Sequence, residues 1–196
     1  MTPLVPIAAV ALVPAIGVYV QERRATYEAA RAQADALGLP LLNIGCPRTY
    51  FDGYPCGEVC LDIDPARLRA CQSPEPRVAD IRAIPYPAGT FGAACCSHVL
   101  EHMHTVADAE RALAELQRVS GGRVFACSPK RWSLPGIFHP DHHLWVDHLP
   151  DGSIRFEQRY RGVENGEAIY PLMLAWQAAS DALIRAITST NDEGAA

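Results

Sequence analysis

Five short apolar runs, each closing on a small, acidic or apolar residue, set most of what this chain is able to fold into. They are Leu41-Leu42-Asn43-Ile44-Gly45, Glu58 to Asp64 (EVCLDID), Arg77 to Ile81, Phe91 to Ser97 (FGAACCS) and Arg123 to Cys127 (RVFAC). Continuous rather than alternating apolar character marks strands covered on both faces, as in a parallel sheet. Between the fourth and fifth runs, Ala109, Leu113, Leu116 and Val119 recur at helical spacing, with Thr105 as N-cap and Gly121-Gly122 as the stop. The predicted fold is α/β, a mostly parallel sheet flanked by helices, with an N-terminal apolar helix.

Composition narrows the partners. Of 196 residues, 49% are hydrophobic and 20% charged, which suits one globular domain with a real core. The net charge is -5 and no basic run stands out, so nothing electrostatic points to nucleic acid. Seven cysteines, two of them adjacent and with Cys95, Cys96 and Cys127 in apolar runs that look like buried strands, read as reduced thiols rather than a disulfide framework. Cys56, Cys60 and Cys71 match no zinc spacing, and no metal site is assigned.

Residues Pro3 to Val20 carry no charge and stop at Gln21-Glu22-Arg23-Arg24. As a helix they span about 27 Å, enough for a bilayer core. The arginines that follow orient a single-pass anchor with the rest of the chain on the cytoplasmic side. Pro6, Pro14 and the many alanines weaken that reading, and the alternative is a cytoplasmic protein whose apolar helix lies on the domain or on a partner. The expected domain plan is thus an apolar anchor segment at 1–20, a connecting amphipathic helix at 21–38 with Tyr27, Ala30, Ala34 and Leu37 on one stripe, a domain at 39–187 and a disordered tail at 188–196.

Ligands of such sheets sit at the carboxyl ends of the strands. Gly45 and Cys46 follow the first strand, Asp62 ends the second with Asp64 beyond it, Asp80 follows the third, and Ser97 and His98 follow the fourth. A carboxylate ending the second strand is how these folds hold a pair of ribose hydroxyls. Each residue alone is unremarkable; four in order, each at a strand end, form a site.

With these residues in place, LLNIGC at 41–46, LDIDP at 61–65, ADIRAIPYPAGTF at 79–91 and SHVLEHM at 97–103 resemble successive motifs of the class I S-adenosylmethionine-dependent methyltransferases, of the methyltransferase type 11-like variety with a short first helix. The resemblance covers residues 40 to 129 and implies a Rossmann-like domain with S-adenosylmethionine as cofactor. It places Gly45 and Cys46 by the methionine part, Asp62 on the ribose, Asp80 and Ile81 on the adenine, and Ser97 and His98 beside the methyl group. Asn43 and Ile63 complete the implied cofactor set. Two departures bear on cofactor binding: Pro47 removes a backbone donor, and Gly92 stands where an aspartate often follows the phenylalanine.

Two other readings compete. His98-Val99-Leu100-Glu101-His102 spells H-x-x-E-H, which on a helix would make a zinc hydrolase, with a third ligand from His139, Asp141, His142 or His143. A non-catalytic, membrane-tethered binding module with a degenerate methyltransferase fold is the other. In the methyltransferase reading, Glu101 and His102 begin the helix after the fourth strand. The segment HPDHHLW at 139–145 is expected as a loop over the sheet edge, with Trp145 as an apolar wall; His98 and His142 are the candidate general bases. Ser153 to Tyr160 alternates as a strand, and Ala168 to Ile187 has helical spacing. The acceptor is unidentified, a small molecule or lipid being favoured, with membrane association through residues 3–20.

Overall fold

A computed structural model of the protein describes residues 5–45, 56–69, 71–133, 136, 139 and 141–159, giving only the backbone of 5–20. Five strands make one parallel sheet: β1 (Leu41–Ile44), β2 (Val59–Asp62), β3 (Glu75–Val78), β4 (Ala93–Ser97) and β5 (Val124–Cys127), in the order β3-β2-β1-β4-β5. The order reverses between β1 and β4, the place where open α/β sheets leave a crevice. The chain therefore carries the Rossmann-like fold that its strand pattern implied.

Side chains alternate across the strands, so the sheet has two differently covered faces. On one, Leu41, Ala93 and Cys95 pack under Ala30 and Ala34 of helix α1 (Val5–Leu37). On the other, Leu42, Ile44, Leu61, Ala94 and Cys96 pack against Ala109, Ala112, Leu116 and Val119 of helix α3 (Val106–Ser120). The short helix α2 (Pro65–Leu68) is capped by Asp64, whose carboxylate accepts the Ala66 N–H. Thr105 caps α3 by accepting the Asp108 N–H, and Gly121 ends it in the left-handed conformation, as the sequence predicted.

Helix α1 is continuous through Gln21–Arg24, so the apolar stretch and the expected connecting helix form one element. Its second half is part of the domain: Ala30 and Ala34 are fully buried, while Leu37, assigned to the same stripe, is exposed. Among the described residues no helix is long and apolar enough to cross a membrane.

Three expectations need correction. The third strand is Glu75–Val78 rather than 77–81. Its Pro76 and exposed side chains are tolerated because it is an edge strand, and Ile81, which looked like strand, belongs to the core instead. Residues 144–148 are not loop but strand β6 (Leu144–His148), paired antiparallel with β7 (Ile154–Gln158), which was predicted. Leu144, Val146, Ile154 and Phe156 turn inward to the α3 side of the core; Trp145 points the other way, between the guanidiniums of Arg131 and Arg159, and is not a pocket wall. Finally, Leu100–His102 form a single 3-10 turn separate from α3. The helical pattern at 168–187 and the tail lie outside the described residues.

Candidate functional site

The strand register brings the predicted residues to one edge. The Gly45 N–H donates to Leu61 O at 2.9 Å, and the Ala79 N–H to Asp62 O at 3.1 Å, so the ends of β1, β2 and β3 stand side by side. Gly45 has φ +74°, and a Cβ there would come within 2.7 Å of Val99 Cγ2. Only glycine fits that turn without strain. Asp62 closes β2 as a buried carboxylate whose Oδ1 accepts the Asp64 N–H at 2.9 Å. Beside it Ile63 is 67% exposed, an apolar surface at the same edge.

Asp80 lies two residues past β3. Arg82 donates to both of its oxygens at distances between 2.6 and 3.1 Å and reaches Asp108 at 2.8 Å. The Arg82 hydrogen bonds, working against burial, hold the Asp80 carboxyl below the usual range. The Ile81 side chain is buried in the core, and nothing among the described residues accepts its backbone N–H. Asn43 is buried within the sheet, where its amide donates to Gly45 O at 3.2 Å and so steadies the turn. Cys46 and Pro47 lie outside the described residues.

Across the reversal, Ser97 ends β4. Its hydroxyl accepts from Arg23 Nε at 3.1 Å and from the Cys127 thiol at 3.3 Å, which ties α1 to this edge. Lys130 reinforces the tie by pairing with Glu22 at 2.6 Å. His98 follows with φ +56°, the one non-glycine residue at positive φ among those described. Such strain persists only where surroundings enforce it, and it gathers at functional sites. Burial alone would pull the His98 imidazole down; its bond to Cys127 and its ion-pair contact with the Glu101 carboxylate outweigh burial and leave it above the ordinary value. Burial raises the Cys127 thiol, and its bond from His98 more than reverses that.

The H-x-x-E-H reading requires His98 and His102 on one helix face. The structure denies that geometry, because His98 lies outside the turn in a left-handed conformation and Leu100–His102 is 3-10. His102 instead joins His139 and His142, whose rings stack at 4.2 Å, while the His102 ring meets His142 edge-on at 4.8 Å. Burial and the neighbouring imidazoles, His139 first, push His142 down to about 2. Glu101 is 2% exposed beneath them, and its backbone oxygen accepts the His143 N–H at 2.8 Å. Asp141 offers this cluster its backbone, the carbonyl meeting His102 Nδ1 at 2.9 Å.

Two features escaped the sequence reading. The thiols of Cys56, Cys60 and Cys71 converge to within 4.8 Å, although their spacing resembles no metal motif. Gly92 does not face the cofactor edge: it precedes β4 at the opposite edge, where a Cβ would meet Ala34 Cα at 2.7 Å. The missing aspartate therefore removes nothing from the site, and the glycine lets α1 approach the sheet. Two open surface hollows lie elsewhere, along α3: one is lined by Arg82, Ile84 and Arg118, the other by Gln117, Leu149 and Phe156.

A doubly covered parallel sheet reversing between β1 and β4, with a glycine turn, a buried acid and a strained histidine at its carboxyl edge, is a Rossmann-like architecture with its ligand crevice at that edge. Residues 42–126, less than half of the chain, match the family model described as a methyltransferase domain, so that stretch is similar to such domains. Solved structures with a similar fold include the PH0226 protein from Pyrococcus horikoshii OT3, with 15% identity over 74% of this chain and 81% of that one, at a TM-score of 0.42. The N-methyltransferase NodS from Bradyrhizobium japonicum WM9, in complex with S-adenosyl-L-homocysteine, is 18% identical over 49% of this chain and 55% of that one, at 0.36. The [4+2]-cyclase SpnF is 20% identical over 50% of this chain, at 0.37; the match spans only 40% of the cyclase. No curated protein sequence matches the chain.

Proposed function

We propose that the chain transfers a methyl group from S-adenosylmethionine to an acceptor at the carboxyl edge of its sheet. The observation that carries the reading is one row of neighbours: positive-φ Gly45, buried Asp62 and strained His98, flanking the point where strand order reverses. When bound, the cofactor supplies an electrophilic methyl on a sulfonium, and the protein's task is to position it.

These residues suit that group. The Asp62 carboxylate accepts from a ribose hydroxyl pair. Gly45 keeps a side chain away from the methionine part, and Cys46 follows it there by resemblance. The open Ile81 N–H and the Asp80 carboxylate face the adenine edge, with Ile63 supplying an apolar surface. Ser97 contributes backbone only, because its hydroxyl is engaged with Arg23 and Cys127. His98 stands at the methyl. A base is required only where the acceptor must lose its proton before attack, and His98 is the group at hand.

The acceptor is a small molecule or a lipid. Residues 3–20 support lipid: they run directly into Glu22 and Arg23, which are tied to Lys130 and Ser97 at the site edge. An apolar helix lying in a membrane surface would bring that edge to its substrate.

The test is a calorimetric titration of the full chain with S-adenosyl-L-homocysteine. One equivalent binds, and Asp62→Ala weakens it at least tenfold, about 1.4 kcal/mol. An absence of binding would favour the non-catalytic module; unchanged affinity in Asp62→Ala removes that residue from the site.

A further inference from the structure

The geometry points to a divalent metal site of the zinc class formed by His102, His139 and His142 over Glu101. Resting on the methyl-transfer reading, it further points to an acceptor that presents an oxygen to that metal. One ligating atom from each of the three histidines lies within 4.8 Å of the others. Zinc binds imidazole nitrogen at about 2.0–2.1 Å, so tetrahedral ligands stand about 3.4 Å apart. The three rings need close by no more than about 1.5 Å from these positions, which small side-chain rotations supply.

The surroundings are those of a ligand set. A carbonyl oxygen only accepts, so at 2.9 Å from Asp141 O the His102 Nδ1 carries the hydrogen. That fixes the tautomer and leaves Nε2 with a bare lone pair, as outer partners do for metal-bound histidines. His139 Nδ1 accepts the Asp141 N–H at 3.3 Å, a bond long enough to yield to a cation.

Glu101 supplies the second, independent observation. It is 2% exposed, and neither carboxylate oxygen has a hydrogen-bond partner. Oε1 lies 3.3 Å from His98 Nδ1, close enough for an ion pair but not aligned as a hydrogen bond, and 4.0 Å from His142 Nε2. With an imidazole only at ion-pair distance and no hydrogen bond, such a buried carboxylate gains from a further cation close by. Three imidazoles are a donor set that suits a borderline cation, with the buried acid beside them as a charge partner.

Three protein nitrogens leave a fourth position open, as catalytic rather than structural zinc sites do. The 3-10 turn carrying Glu101 and His102 begins two residues after His98, so the site is next to the place assigned to the methyl. An acceptor hydroxyl or carboxyl oxygen in the open position would be held there and its acidity raised. Nitrogen and carbon acceptors have less use for such an ion.

The experiment uses the full chain, prepared without a polyhistidine tag and stripped with chelator, titrated with Co2+ as a coloured stand-in for zinc. One equivalent is expected, giving the visible absorption of a tetrahedral nitrogen site with no thiolate charge-transfer band, and raising the melting temperature. His102→Gln and His142→Gln each weaken binding at least a hundredfold, and Glu101→Gln by ten- to a hundredfold. Circular dichroism confirms that each variant is folded. No binding, or binding that survives both histidine variants and disappears in Cys60→Ser with a thiolate band, overturns the site. Acetohydroxamate, a generic oxygen ligand, is then added: a changed cobalt spectrum supports the open position, and an unchanged one overturns the oxygen-acceptor part. Cobalt bound without S-adenosyl-L-homocysteine binding would leave the metal site standing while the methyl-transfer reading falls.

Discussion

The two edges of the sheet are built on opposite rules. At the amino edge strong polar ties and close backbone approaches join the elements. Glu58 accepts the Leu41 N–H and the Arg31 guanidinium, both at 2.6 Å, locking α1, β1 and β2 together, while Gly92 seats β4 against Ala34. At the carboxyl edge, backbone strain at His98 sits above a carboxylate without hydrogen bonds at Glu101. Native structures satisfy buried polar groups almost everywhere, so unsatisfied ones mark where binding rather than folding set the sequence. Stability is therefore expected to reside at the first edge and function at the second.

Substitutions separate the two. Gly92→Val should have the largest effect on stability, about 3 kcal/mol by chemical denaturation, because its Cβ has no room beside the α1 backbone. Cofactor affinity of the folded fraction should stay unchanged; a stable variant would show that α1 packs less closely. Thr105→Ala, which removes the α3 cap at the carboxyl edge, should cost about 1 kcal/mol in the same assay. A loss above that would give the cap a wider role.

Glu101→Gln should move stability in the opposite direction. In chelator-treated protein it removes a buried charge that has no hydrogen bond and raises stability by about 1 kcal/mol. A destabilised variant would show that the carboxylate is satisfied without a cation and would weaken the contrast between edges.

The smallest effect concerns pH. The Arg131 hydrogen bond, more than offsetting burial, holds Asp147 at about 2, below its ordinary 3.8. A carboxyl lowered on folding stabilises fully above the unfolded value and loses that contribution as pH falls through the folded one. The hairpin strand β6 should loosen between about pH 4 and 2, and Asp147→Asn should abolish that slope in a Trp145 fluorescence titration. A slope retained in the variant would assign it to another group.

What was legible in the sequence follows burial. β1, β2, β4 and β5 are inner or well-covered strands, and their apolar runs fixed them within two residues. β3 is an exposed edge strand with Pro76, so its pattern was too weak, and the apolar Ile81 drew the assignment toward itself. β6 was readable from the inward alternation of Leu144 and Val146, but the histidines before it suggested loop. The placement of Gly45, Asp62, Asp80 and His98 at the carboxyl edge was legible because Asp62 ends a strand and the others follow one. The histidine cluster was only half legible. H-x-x-E-H named Glu101 and His102, yet spacing along the chain carries no sign that a left-handed residue breaks the helix at His98 or that the 139–142 segment folds back over the turn. Gly92 was misjudged for a related reason: sequence shows which residue is missing but not which edge it faces.

The most direct test of the account is a crystal structure of the full chain with S-adenosyl-L-homocysteine. The ribose hydroxyls should lie within hydrogen-bond distance of the Asp62 carboxylate, the adenine against Ile63 with its edge toward the Ile81 N–H, and the sulfur facing His98. A ligand bound away from the ends of β1, β2 and β4 would contradict it.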